Sequence, residues 1–453
     1  MFRTAAFRLP AIASLMIGLS IMFALTANLL FGQVRAQAAP PAQGTPPAGQ
    51  EGAPVRVYFT GDAQLATLAA GYDIWEVDRA AGYAVVYADS GARAQLLAAG
   101  LRVEEDPIRA AEFLASLPVF PGEASAAAVE SIPGYACYRT VEETYSALAG
   151  LATQHPDLAQ WVDIGDSWEK TQPGGAAGYD LYALVLTNRN RPGPKPRFFL
   201  AAATHARELA TAELATRFAE YLLAKYNVDP DVTWLLDYFE IHIIPQVNPD
   251  GRKKAETGLL WRKNTDNNDG CNNSSTWGTD LNRNSTFKWN NGGSSSNACN
   301  ETYRGPSAGS EPETQVIQNY ATSIFPDQRG PNDTDAAPAT TEGVFITLHS
   351  YAQLVLYPWG YTGTPSAPNV TQLATLGRKF GYYNGYQVCN GPVCLYNASG
   401  TTDDFTYGEL GVASYTIELG TAFFESCSSF TSTTLPQNMP ALYYAAKAAR
   451  RPY

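Results

Sequence analysis

Phe198-Phe199-Leu200-Ala201-Ala202-Ala203-Thr204-His205-Ala206-Arg207-Glu208 is an apolar run that ends in an imidazole, a guanidinium and a carboxylate. Residues 198–204 are short and almost continuously apolar, the pattern of a strand buried on both faces. From Glu208 the period changes. Leu209, Ala212, Ala215, Phe218 and Ala219 recur on one side of a helix that runs to about residue 226. A strand that delivers polar residues straight into a helix is the repeating unit of an α/β fold. Residues 239–244, 344–348 and 414–419 read as further strands: the first is closed by the turn Asn248-Pro249-Asp250-Gly251, the second ends at His349, and the third carries Glu418. Strands alternating with helices predict one large α/β domain over residues 134–453, with a mixed, mostly parallel twisted sheet flanked by helices.

Toward the N-terminus the text changes character. Residues 55–107 alternate short strands (55–60, 83–87) with short helices (62–70, 92–100), which predicts a small α+β domain. Residues 108–133, with scattered Pro and an Ala-rich stretch, read as a cleavable linker, and residues 39–54, rich in Pro, Gly, Ala and Gln, as a disordered one. Residues 1–38 have the layout of an export signal: Arg3 and Arg8, an apolar run from 9 to 31, then Ala36-Gln37-Ala38. That run is also long enough to stay in a bilayer as an anchor, but the Ala- and Pro-rich stretch after it favours cleavage. No cysteine lies near the cleavage point for a lipid anchor. The Asn-, Ser- and Gly-rich tract 267–297 is expected to be a long polar surface loop.

The chain of 453 residues is 45% hydrophobic and carries a formal net charge of -12. Such a composition excludes global disorder and a nucleic-acid partner, since phosphate binding needs a basic face. Six cysteines, all beyond the first 130 residues, suggest disulfides in an exported chain. None has the tight spacing of a zinc knuckle. Cys271 with Cys299 and Cys389 with Cys394 are the simplest local pairs, leaving Cys137 for Cys427.

Only four histidines are present, and His205 and His349 both sit where apolar strands end. His205 and Glu208, three residues apart at a strand-to-helix transition, converge on one point. With a second histidine they make a catalytic zinc ligand set that leaves a fourth position open. Alone, His-x-x-Glu is as readily a salt bridge or a cap. Glu418, on an otherwise apolar strand, is either half of an ion pair or a general base. His155 and His242 fit no site pattern and read as ordinary histidines. Asp266-Asn267-Asn268-Asp269-Gly270 clusters hard oxygen ligands that suit Ca2+, or a solvated Asx-rich turn.

Taken in order, Thr204-His205-Ala206-Arg207-Glu208, Leu348-His349-Ser350-Tyr351 and Thr416-Ile417-Glu418-Leu419 resemble the motifs of the zinc carboxypeptidase family, which includes pancreatic carboxypeptidases A and B and secreted bacterial relatives. The resemblance runs from about residue 135 to the C-terminus. It implies zinc held by His205, Glu208 and His349, with Glu418 as general base. Asn248-Pro249-Asp250-Gly251 matches a structural turn. Trp261-Arg262-Lys263 implies that Arg262 polarises the scissile carbonyl. Asp280-Leu281-Asn282-Arg283-Asn284 implies that Asn282 and Arg283 grip the substrate's free carboxylate, with Asp280 orienting His205. Tyr396 resembles the tyrosine that closes over the substrate, and Arg207 and Tyr351 resemble subsite residues. At the specificity pocket, Asp403 and Gly391 are similar to the B-type pattern and Gly360 to the A-type one, which implies Lys/Arg preference with activity on apolar C-termini. The resemblance further implies that residues 55–107 are a pro-domain covering the site until an activating protease cuts the linker.

The expectation is a secreted zinc-dependent exopeptidase acting on peptide and protein C-termini, with no nucleic-acid partner and no stable membrane association after signal cleavage. Two alternatives share the architecture: an amidase of cell-wall peptides and an inactive zinc-bearing peptide-binding module. Asn282, Arg283 and Tyr396 argue against the first, Glu418 and Arg262 against the second.

Overall fold

Residues 53–116 fold around a sheet of their own. Strands β1 (Ala53–Tyr58), β2 (Ile74–Asp78), β3 (Tyr83–Ala88) and β4 (Val103–Glu105) pair antiparallel in the order β2-β3-β1-β4. Val55, Val57, Leu65, Leu68, Val86 and Leu96 fill a core between this sheet and the helices Asp62–Gly71 and Ser90–Ala98. The computed structural model describes residues 51–117, 131–174, 178–273 and 276–453. The expected signal peptide 1–38, most of the linker 39–54 and most of the linker 108–133 lie outside the described residues. The start of that second linker is corrected: Pro107–Ser116 is a helix. Pro107 sits at its first turn, the Asp106 side chain accepts the Arg109 N–H, and Phe113 is buried, so propensity and capping agree there.

The main sheet has eight strands: β5 (Ala159–Asp166), β6 (Asp180–Leu186), β7 (Arg197–Ala201), β8 (Glu240–Ile244), β9 (Val344–Ser350), β10 (Leu354–Tyr357), β11 (Gln387–Asn390) and β12 (Ala413–Leu419), in the order β11-β10-β12-β9-β7-β8-β6-β5. Its middle, β12-β9-β7-β8, is parallel. Antiparallel pairings bring in β6 and β5 at one side and β10 at the other, with β11 parallel to β10 beyond it. The parallel strands are almost wholly buried, because both their faces are covered by helices such as Leu209–Lys225, Thr402–Leu410 and Leu435–Ala448. Strands β5, β6, β10 and β11 are not evident from the sequence; β5 alternates polar residues and β10 and β11 have four residues each.

Two further expectations are corrected. Asn248-Pro249-Asp250-Gly251 is not a free turn but the start of the helix Pro249–Glu256, with the Asn248 side chain accepting the Gly251 N–H. The tract 267–297 is not wholly at the surface, because residues 279–285 are buried. Disulfides join Cys137 to Cys427, Cys271 to Cys299 and Cys389 to Cys394, as the local spacing suggested. No helix among the described residues is long and apolar enough to cross a membrane.

Glu313 is an acid inside the domain that joins no ion pair among the described residues. It is fully buried, accepts the Trp168 N–H (2.7 Å) and the Asn264 amide (3.2 Å), and is pushed up to about 8 by burial and then by the charges of Glu311 and Asp250. A carboxyl raised in the folded state stabilises the fold below its unfolded value near 4 and loses that contribution as pH rises through 8. Glu313→Gln is therefore expected to gain on the wild type between pH 5 and 9, by on the order of 3 kcal/mol. Thermal unfolding at the two pH values measures it; a constant difference in Tm would show that Glu313 does not titrate in the fold.

Candidate active site

Strand β7 is where the strand order reverses: the helix after it leads to β8 on one side, while β9 lies on the other. Crevices open at the carboxyl ends of strands at such a point. Past the end of β7, Ala203 adopts φ 57, a left-handed turn unusual for a residue with a Cβ, and its N–H is held by the Thr211 hydroxyl. This bend sets His205 beside β9. His349 lies within β9 rather than beyond it, and its register partner on β12 is Glu418. Glu418 is the one residue of β12 that keeps some exposure.

His205 Nδ1 lies 2.7 Å from Glu208 Oε1 and 3.1 Å from His349 Nδ1, and His349 Nδ1 is 3.2 Å from Glu208 Oε2. All three residues are buried, and their ligand atoms fall within 4.8 Å of one another; among the described residues no other such group occurs. Two imidazole nitrogens face each other here, and Glu208 Oε2 has no hydrogen-bond partner. A cation between them would satisfy all three, and two imidazoles with one carboxylate are a zinc donor set. The residues present fit zinc.

Around this group the charges are paired. His205 Nε2 lies 3.0 Å from Asp280 Oδ1, and Arg262 donates to Asp280 Oδ2 through Nε (3.1 Å) and Nη2 (2.9 Å). Burial opposes the charge on Asp280, but Arg262 and His205 hold it well below the usual carboxylate range. Burial depresses His205, and the Arg262 charge adds to this; a neutral imidazole is the form that binds a metal. Burial drives Glu418 up to about 7, against His349 and with the push of Glu208.

A cleft opens over the group, lined by His205, Arg207, Glu208, Arg262, Asn282, Arg283, Tyr351, Gly360, Gly391, Tyr396, Asp403 and Glu418. Asp280 lies behind it, touching His205 and Arg262. Arg283 Nη1 donates to Asn282 O and Nη2 reaches Tyr396 Oη at 3.3 Å, while the Asn282 side chain accepts the Thr402 N–H. At the pocket end Gly360 and Gly391 oppose one another: a Cβ on Gly391 would lie 3.6 Å from Gly360 Cα. Asp403 and Asp404 are both buried there. Asp404 accepts the N–H groups of Gly360 and Tyr361, and burial with the neighbouring Asp403 charge raises it well above the ordinary range.

Sequence inspection missed five contributors. Phe423 lines the cleft beside Tyr351, their ring centres 4.9 Å apart. Asp73, Ile74 and Trp75, at the start of β2, enter the cleft from the N-terminal sheet. Asp73 accepts from Arg207 Nη2 and from the Trp75 indole, each at 2.7 Å, and Trp75 packs edge-on against Phe423. Arg79 donates to the carbonyls of Pro392 and Val393 in the short helix Gly391–Cys394, just before Tyr396. No local pattern marks these residues; Asp73, Trp75 and Arg79 each meet the large domain at partners more than a hundred positions away. His242 and His155 stay out of the site, His242 packing 2.7 Å from the Tyr320 hydroxyl. In the loop 266–270 the Asp266 and Asp269 oxygens accept backbone N–H groups of Asn268, Cys271 and Gly278. The bonds to Asn268 and Cys271 are Asx turns, and the one to Gly278 ties the loop to the segment that follows it.

Residues 144–436 match the model of a family described as zinc carboxypeptidase. The chain belongs to the zinc carboxypeptidase family. It is 33% identical over 294 residues to carboxypeptidase A2 of Mus musculus (63% of each chain), and 31% identical over 291 residues to a metallocarboxypeptidase A-like protein of Trichophyton verrucosum (62% of each). It thus spans somewhat over three-fifths of the length of the curated relatives it matches. The carboxypeptidase A structure from Helicoverpa armigera superposes with a TM-score of 0.68 at 23% identity, covering 88% of this chain and 98% of that one. The structure of thrombin activatable fibrinolysis inhibitor gives 0.66 at 22%, with the same coverage. At that identity these two establish the fold.

Proposed function

We propose that this chain is a secreted zinc-dependent carboxypeptidase that removes C-terminal residues, Lys and Arg by preference and apolar ones as well, and that its N-terminal module holds it inactive until the linker is cut. The observation that carries this is the meeting of His205, Glu208 and His349 with Glu418 next to them on the adjacent strand. Zinc, when bound, supplies Lewis-acid polarisation of the attacking water and of the scissile carbonyl.

The chain's own groups do the rest. Arg283 and Asn282 take the substrate's terminal carboxylate, the guanidinium fork matching its two oxygens. Tyr396, already at Arg283, closes over it. The terminal side chain enters the recess between Gly360 and Gly391 toward Asp403. Glu418, raised toward neutrality, accepts the water's proton and passes it to the departing amine nitrogen. Arg262, fixed by Asp280, places positive charge where the carbonyl oxygen becomes anionic. Asp280 also keeps His205 in one orientation.

Inhibition by the module is supported by Asp73 on Arg207 and by Trp75 in the cleft, where a peptide would have to lie. It is supported too by the 88% span of the two superpositions, which residues 134–453 alone would not fill. Export is supported by the layout of residues 1–38 and by the three disulfides.

One assay tests the proposal: blocked dipeptides ending in Arg, Lys, Leu and Phe, offered to the intact chain and to chain nicked in residues 118–130, with and without a chelator. Release of the terminal residue is expected only after nicking and only without chelator, fastest for Arg and Lys. Chelator-resistant turnover would refute the metal chemistry, and full activity of the intact chain would refute the inhibitory module.

A further inference from the structure

Behind the metal-ligand turn lies a guanidinium that none of these roles uses. Arg252 is 1% exposed. Its Nη2 donates to the backbone carbonyl of Glu208 at 3.2 Å, while Nε and Nη1 have no hydrogen-bond partner. Burying a charge with two unmet donors is costly, and cores of this size fill such a position with an apolar side chain at lower cost. Burial pulls Arg252 down to about 10, and the surrounding anions Glu256, Glu208 and Glu213 act the other way.

Its placement follows from the motif before it. Asn248 and Arg252 are four residues apart across the start of the helix Pro249–Glu256, so both face the same neighbour. Asn248 donates to Thr204 O (3.3 Å) and Lys263 O (2.9 Å), and its own N–H reaches Ala203 O. Gly251 permits this approach, since a Cβ there would fall 2.5 Å from Lys263 O. Asn248 thus grips the turn before His205, and Arg252 grips it after, at Glu208. The Glu208 carbonyl also accepts the Thr211 hydroxyl (2.7 Å) and N–H (3.3 Å). Glu208 has no side-chain capping bond of its own; apart from its N–H on His205 O (3.2 Å), its backbone is held by these neighbours.

We infer that Arg252 is a positioning residue for the metal ligand Glu208: it fixes the backbone of that ligand from behind and so sets the affinity of the site for zinc. The inference rests on the zinc-site proposal above. Groups that orient a ligand from outside typically change metal affinity by about 10–100-fold when removed.

The experiment uses the full chain as wild type, Arg252→Met and Arg252→Lys. Zinc affinity is measured by competition with a chromophoric chelator, and thermal unfolding is followed in the metal-free form. Arg252→Met is expected to bind zinc about 10–100-fold more weakly, with its metal-free Tm equal to or above that of the wild type, because an unmet buried charge is gone. Arg252→Lys, which keeps a charge and a donor, is expected to recover most of the affinity. Unchanged zinc affinity in Arg252→Met would overturn the inference. So would a loss matched by a fall in metal-free Tm, which would make Arg252 a general packing residue. A wild type that binds no zinc would instead refute the metal site itself.

Discussion

In Glu418→Gln, turnover of a Lys-terminated peptide by the nicked enzyme is expected to fall by about 10³-fold, with zinc content unchanged. Glutamine keeps the shape and one oxygen of the side chain but cannot take a proton. Glu418 stands across from His349 in the strand pairing and is not one of the three converging ligand atoms. Metal binding should therefore survive its replacement. KM should move little, because the carboxylate clamp proposed at Asn282 and Arg283 and the recess proposed at Asp403 are untouched. The loss belongs in kcat. Metal analysis and steady-state kinetics on one preparation decide the matter. A variant that keeps zinc and loses less than about tenfold in kcat would show that another group accepts the proton.

The part of this site legible in sequence is the part where a local pattern is broken by chemistry. His205 and Glu208 stand out because a both-faces-buried strand has no other reason to end in an imidazole and a carboxylate. Glu418 stands out because Tyr415-Thr416-Ile417 leaves no cheap place for an acid. The same logic gave the parallel strands β7, β8, β9 and β12 and failed at β5, β6, β10 and β11. β5 alternates polar residues and β10 and β11 have four residues each, which leaves little to separate them from loop; β6 does carry an apolar run, 181–186, and its omission has no such reason. Placing His349 beyond its strand rather than inside it came from reading the apolar run as ending where the first polar residue appears; the ladder to β12 continues through Ser350. What sequence does not encode locally is pairing at a distance. The two hydrogen bonds from Arg262 to Asp280, the Asp73–Arg207 contact and the Arg252 donor to Glu208 each join segments whose proximity only the folded chain creates. The tract 267–297 misled for a related reason. Its Asn and Ser residues look solvated, yet residues 279–285 are buried and several find polar partners inside the protein; Asn284, for instance, donates to Arg304 O and Ser310 Oγ.

Asp403→Ala is expected to lower kcat/KM for Lys- and Arg-terminated substrates by about 10²-fold while leaving Leu-terminated ones equal or better. Two acids occupy the pocket end, but they are not equivalent. Asp404 is spent on the N–H groups of Gly360 and Tyr361 and held toward its neutral form by burial and by Asp403. Asp403 is the one that lines the cleft. A Lys side chain entering between Gly360 and Gly391 leaves water and needs a carboxylate at the far end; removing that carboxylate strands a buried cation, at a cost of about 3 kcal/mol. A Leu side chain has no such need and gains from losing an acid that its entry would desolvate. The Lys/Leu ratio should therefore fall by at least the full effect on Lys. Asp404→Asn supplies the contrast: it retains an acceptor for the two N–H groups and removes no charge from the pocket, so its ratio should stay near that of the wild type. An Asp403→Ala enzyme with the wild-type Lys/Leu ratio would mean that the terminal side chain is selected elsewhere in the cleft.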